Sequence, residues 1–160
     1  AKLIGDVIDA SLAMVAKSAA YILIIGRKYG QMPECPKRNP ENLSITELEY
    51  REAVRLKRPV LLFLMGDKHP RIESEIELDP DKRAKLAAFR ELAKKSAPGS
   101  AVNRVYGTFE SLDQFKDIIG APLSEMQRQL EPRPSVDPAA STDATSSDSL
   151  SSIPKPPAFY

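Results

Sequence analysis

The sequence predicts an α/β fold, with a parallel sheet of about three strands and helices packed on its faces. Three observations predict it. Two unbroken apolar runs, Tyr21–Ile25 and Val60–Met65, carry no charge and read as strands buried on both faces, as strands of parallel sheets are. Amphipathic stretches at helical spacing precede, separate and follow them. The resulting order of helix, strand, helix, strand, helix, strand, helix implies parallel strands joined by crossovers, with ligands received at the carboxyl ends of the central strands.

In residues 6–18, Ile8, Leu12, Val15 and Ala19 recur as one helical stripe, and Asp6 is placed to cap it. Gly26 closes the first strand. Residues 27–43 contain Gly30, Pro33, Pro36, Asn39 and Pro40, which exclude helix and disfavour strand, so a long loop is expected, and long loops in compact domains are often functional. Ser44 followed three residues later by Glu47 forms a capping box, in which the Ser44 oxygen accepts from a first-turn amide and Glu47 reaches back to the Ser44 amide. Helix therefore starts at Ile45 and runs to about Lys57, and Pro59 opens the second strand. Asp79 and Pro80 supply an N-cap and first-turn proline for a helix to about Lys95, with Leu86, Phe89, Leu92 and Ala93 on one side. Residues 97–100 break that helix. Residues 102–106 make a third, weaker strand, which Asn103 and Arg104 assign to an edge or to one exposed face. Leu112, Phe115, Ile118 and Ile119 mark a last core helix, which residues 122–130 extend or follow. Residues 132–152, rich in Pro, Ser, Thr and Asp, have too little apolar surface to offset the entropy of ordering and read as a disordered linker.

With 42% hydrophobic and 28% charged residues in a chain of 160, there is material for one modest core. The net charge of +1, without a long basic run, argues against nucleic acid as partner. No apolar run approaches the ~20 residues that span a bilayer, and the first residues do not read as a signal peptide, so no membrane partner and a cytoplasmic location are expected. The single cysteine, Cys35, excludes an internal disulfide and has no nearby histidine to activate it. His69 is the only histidine and has no second metal ligand at useful spacing, so neither a metal site nor a Ser, His, Asp triad is expected.

On a helical projection of the segment after Ser44, Ile45, Leu48, Ala53 and Leu56 define the apolar arc, Glu49 and Glu52 fall inside it, and Tyr50, Arg51 and Arg55 lie off it. A buried acid requires a partner or a use. Glu49 should face the crevice above the strand ends; alternatively Glu49 or Glu52 pairs with Arg27, Lys28 or Arg58. Gly26, Tyr29 and Gly30 sit where the first strand ends and a ligand would approach the backbone, or they form a plain tight turn with the tyrosine packed on the neighbouring helix. With Arg27 and Ser44 beside them they make up the candidate substrate-binding set. The run Gly-Arg-Lys-Tyr-Gly is neither a Walker loop nor a dinucleotide fingerprint.

The segments I-L-I-I-G-R-K-Y-G, S-I-T-E-L-E-Y-R-E-A and R-P-V-L-L-F-L, in that order and spacing, resemble the bacterial family called domain of unknown function 4062, over residues 4–119. That family is similar to TIR domains and to nucleoside 2-deoxyribosyltransferases. The resemblance implies a three-layer flavodoxin-like (TIR-like) parallel sheet over residues 1–130, lacking its first strand, helix and strand, with a linker over residues 131–160. The start at Ala1, in the middle of an amphipathic pattern, agrees with a missing upstream part. The resemblance makes Glu49 the catalytic candidate, because the acid of TIR NAD hydrolases and the nucleophile of the deoxyribosyltransferases precede the strand-opening proline by about the separation of Glu49 from Pro59. Such a carboxylate stabilises or captures an oxocarbenium ion as nicotinamide or a base departs. NAD would then be a substrate, and no cofactor is implied. The Trp-Cys pair of many TIR domains is replaced by Thr46-Glu47 and neighbours. Family members commonly precede STAND ATPase modules of the NACHT or NB-ARC kind, and the final Pro-Lys-Pro-Pro-Ala-Phe-Tyr looks like the lead into one. The resemblance thus implies an effector or signalling domain of a sensor ATPase, with that ATPase in cis and with itself or other TIR-like domains as partners. The alternative is a non-catalytic interaction module that self-associates.

Overall fold

The computed structural model describes residues 2–95 and 105–131. Their elements are α1 (Lys2–Lys17), β1 (Tyr21–Ile25), α2 (Ile45–Arg55), β2 (Val60–Met65), a 3-10 turn (Glu73–Glu75), α3 (Pro80–Lys94), β3 (Val105–Phe109) and α4 (Leu112–Leu130). The strands lie in the order β1-β2-β3, all parallel, with Tyr21 opposite Val60 and Leu61 opposite Val105. The expected α/β class, three-stranded parallel sheet and flanking helices are all present.

Two apolar clusters fill the space on either side of the sheet. Leu23, Ile25, Val60, Leu62 and Leu64 face one way, against Val15 of α1, Tyr50 and Ala53 of α2, and Leu86, Phe89 and Ala93 of α3. Leu61, Phe63 and Phe109 face the other, against Met126, Phe115, Ile118 and Ile119 of α4. β2 is therefore buried on both faces, as its unbroken apolar run requires.

β1 is not. Among the described residues it is an edge strand, and α4 does not extend over it, so Ile22 and Ile24 remain 42% and 48% exposed on the α4 side. Its apolar run thus overstates its burial. Other expectations shift for local reasons. α1 starts at Lys2, so Asp6 lies inside the helix instead of at its cap. On α2 the inward stripe is Glu47, Tyr50 and Ala53, so Tyr50 belongs to the core and not off the arc. Leu92 and Leu112 are exposed, because the core-facing rows of α3 and α4 are set by Phe89 and Ala93 and by Met126. Among the described residues β3 lies at the sheet's edge, one of the two placements expected, and it runs on to Phe109, past the expected end at residue 106. α4 continues through Pro122 as one helix. Residues 97–100 and 102–104, and the linker and final segment over residues 132–160, lie outside the described residues.

The helix starts follow their caps. Ser44 accepts from the Glu47 amide at 3.2 Å, and Asp79 accepts from the amides of Asp81 and Lys82 at 2.9 and 3.2 Å. The loop between β1 and α2 is organised around one side chain. Asn39, 3% exposed, donates to the carbonyls of Pro33 and Leu43 and accepts from the Leu43 amide. That replaces the backbone pairing the prolines forbid.

Candidate functional site

The turn after β1 must bring the chain back to the start of α2. Gly30 makes this possible with a φ of 96°, a conformation that side chains rarely adopt, and the Ile45 amide then donates to the Gln31 carbonyl at 3.0 Å. Tyr29 is carried inward by the same turn and is 2% exposed. Its hydroxyl donates to Glu47 Oε2 at 2.7 Å.

Glu47 is the acid that the fold buries, at 4% exposure. Its other oxygen, Oε1, accepts from Arg51 Nη2 at 2.7 Å and Nε at 3.1 Å, and Arg51 Nη1 in turn donates to Glu41. The capping box is thus half formed: Ser44 caps the helix, while the Glu47 carboxylate turns to Tyr29 and Arg51. Arg51 supplies the opposite charge one turn away, and Tyr29 the neutral donor, so each oxygen is satisfied. Burial, reinforced by the hydrogen bond to Glu47, pushes the Tyr29 phenol up to about 12. The Glu47–Arg51 spacing was readable in the sequence; the Tyr29 contact, across the loop, was not.

Glu49 is half-buried and lies elsewhere. Its Oε2 accepts from the Tyr21 hydroxyl at 3.1 Å, so its partner stands at the opposite end of β1 from Gly26. Burial, with the nearby Glu49 charge and this hydrogen bond, raises the Tyr21 phenol well above its ordinary value. Glu52 pairs with Arg55 at 2.7 Å, which holds its carboxyl below the ordinary value. Arg58 donates to the Ala16 carbonyl. None of the cations proposed for Glu49 from spacing is its partner.

The structure gathers part of the predicted binding set. Gly26, Tyr29 and Gly30 line a cavity of about 60 Å3 with Thr46, Leu86 and Phe89. Ser44 lies behind Gly30, where a Cβ would stand 3.8 Å from its own. At roughly 30 Å3 per water, that space admits a water or two and no substrate. Arg27 turns away from it, donating to the Pro70 carbonyl at 2.9 Å and to that of His69. Neither Glu47 nor Glu49 lines the cavity. Among the described residues no group of three or more His, Cys, Asp or Glu is placed to hold a metal, and no helix is long and apolar enough to cross a membrane.

The family model described as domain of unknown function (DUF4062) matches residues 5–124. The chain belongs to this family. Nothing matches among curated proteins or among solved structures. The DUF4062 region begins within α1 and ends within α4, so it takes in the whole sheet together with α2 and the Tyr29–Glu47 contact.

Proposed function

We propose that this DUF4062 chain is an assembly module of a signalling protein, and that it joins a second copy of itself through the open edge of β1. The carrying observation is that edge. Among the described residues β1 is paired on one side only, and Tyr21–Ile25 has none of the charges, prolines or bulges that keep edges from pairing. Ile22 and Ile24 add apolar surface, continuous with an open groove of about 510 Å3 between Ala20, Ile22 and the Leu123, Met126 and Leu130 side of α4. Two such edges related by a twofold axis pair antiparallel and present the same patch to each other. The signalling setting, with an ATPase module in cis, rests on the resemblance of the sequence to a family whose members commonly precede such modules and on its final Pro-Lys-Pro-Pro-Ala-Phe-Tyr. Sedimentation of the full chain over a range of concentrations tests the proposal. A dimer is expected, and Ile24→Lys should return it to monomer with its helical circular dichroism intact. A wild-type chain that stays monomeric would remove the reading, and so would a longer chain in which the strand that the resemblance places ahead of residue 1 pairs with this edge.

A second reading is favoured by Glu49. One oxygen of this half-buried carboxylate is fixed by Tyr21 and the other has no hydrogen bond among the described residues, an arrangement suited to stabilising or capturing an oxocarbenium ion. The substrate would be NAD or a nucleoside, with the C–N bond electrons leaving on the base and water completing hydrolysis. Base release from NAD and from nucleosides is the assay. Glu49→Gln should abolish it, and equal release by that variant would exclude the reading.

A further inference from the structure

The carboxyl ends of β1 and β2 open on a cleft that neither reading uses. It has a volume of about 440 Å3 and is walled by the turn after β1, the loop after β2 and one side of α3 from Arg83 to Arg90. Four arginines line it, Arg27, Arg71, Arg83 and Arg90, against two carboxylates, Asp67 and Glu77. They come from three separate stretches of chain. No basic run announces them in the sequence.

None of the four arginines forms an ion pair among the described residues. Three are held by backbone carbonyls. Arg27 donates to Pro70 and His69, Arg90 to Gly26 at 3.0 Å and Met65 at 2.6 Å, and Arg83 to Glu77 and Leu78, both at 3.2 Å. These bonds fix the guanidinium planes without neutralising them, and the Nε of Arg27 and of Arg90 and Nη1 of Arg83 keep donors with no partner among the described residues. Arg71 makes no hydrogen bond there at all. Glu77 is already engaged, since its Oε2 accepts from the Tyr29 amide at 3.3 Å. The cleft lining therefore holds an excess of two positive charges, and Arg27 and Arg90 are half-buried, with backbone carbonyls as their hydrogen-bond partners. Fixed, forked donors of this kind match the oxygens of a phosphate.

We propose that this cleft binds a small phosphorylated molecule, its phosphate held by Arg27, Arg71, Arg83 and Arg90. The volume is far more than one phosphate needs and falls in the range of small-molecule sites. Ile76 and Leu86 give the cleft an apolar side, so the ligand carries an apolar or planar group as well as its anion, as a nucleotide does.

Isothermal titration of the full chain tests this with ADP and inorganic pyrophosphate as probes and adenosine as the uncharged control. ADP should bind saturably, adenosine should not, and binding should weaken as salt is added. Arg71→Ala and Arg83→Ala, both at exposed side chains, should each weaken ADP roughly tenfold or more, the loss expected for a charge-assisted hydrogen bond. Arg71 has no contact to lose, so its variant reports on binding even where Arg83→Ala disturbs the fold. Lys116→Ala, which removes an exposed cation of α4 outside the cleft, should leave ADP binding intact. Absence of saturable binding by both anionic probes would overturn the proposal. So would ADP binding no tighter than that of sulfate, or binding indifferent to Arg71→Ala.

Discussion

A carboxylate at 4% exposure is held by a tyrosine and an arginine, and each partner does a different job. Arg51 brings the opposite charge to one oxygen; Tyr29 satisfies the second where water does not reach. Tyr29→Phe leaves that oxygen short of a donor, and a loss of about 1–3 kcal/mol is expected in urea unfolding. The pH dependence has a definite sign. Tyr29 ionises near 10 when unfolded and near 12 when folded, so the fold favours the neutral phenol. Its contribution is whole below pH 10 and is lost as pH rises through 12. Tyr21, raised by burial and by Glu49, acts in the same direction. Urea midpoints followed from pH 9 upward should therefore fall more steeply for the wild type than for Tyr29→Phe, in which Tyr21 still contributes a slope of the same sign. Equal slopes in the two proteins would contradict the assignment.

Among the elements, β3 and α4 approach closely at Gly107, where a side chain would press on Ile118 and on Phe63 of β2. A Cβ at Gly107 would stand 3.0 Å from Ile118 Cδ1 and 3.2 Å from Phe63 Cδ1. Gly107→Val should thus cost about 1–3 kcal/mol through overpacking, despite the better strand propensity of valine. A thermal melt that does not drop would show that α4 yields. The same elements show what was legible in the sequence and what was not. Apolar runs and caps are local signals, so β1, β2 and the starts of α2 and α3 were readable within a residue. Burial of one face is a tertiary property. Ile22 and Leu61 sit in equally apolar strands, yet only Leu61 has α4 over it. The site failed in the same way. Helical projection ranked Glu49 by its own element, whereas the buried acid was decided by the Gly30 turn, which delivers Tyr29 to Glu47. The arginine cleft left no local trace at all, because its four side chains meet only once β1, β2 and α3 are assembled.

Taken whole, the molecule is asymmetric about its sheet. Among the described residues one face is covered by α1, α2 and α3, the other by α4 alone. On that thinner side Met126 is the one buried residue of α4, packed with Leu61, Phe63 and Phe109, and the residues that flank it line the open groove beside Ile22. α4 should accordingly be the least firmly held layer, opening without loss of the opposite face. Met126→Ala removes its anchor, and a loss of about 2–5 kcal/mol is expected for a buried methionine truncated to alanine. Because the other core cluster does not include this contact, the loss should be uneven. Hydrogen exchange should accelerate in α4 and β3 of the variant, while β2 amides and those of α2 keep nearly their wild-type protection. Uniform acceleration across all elements would mean that the two faces fold as one cooperative unit, with α4 as integral to it as the helices opposite.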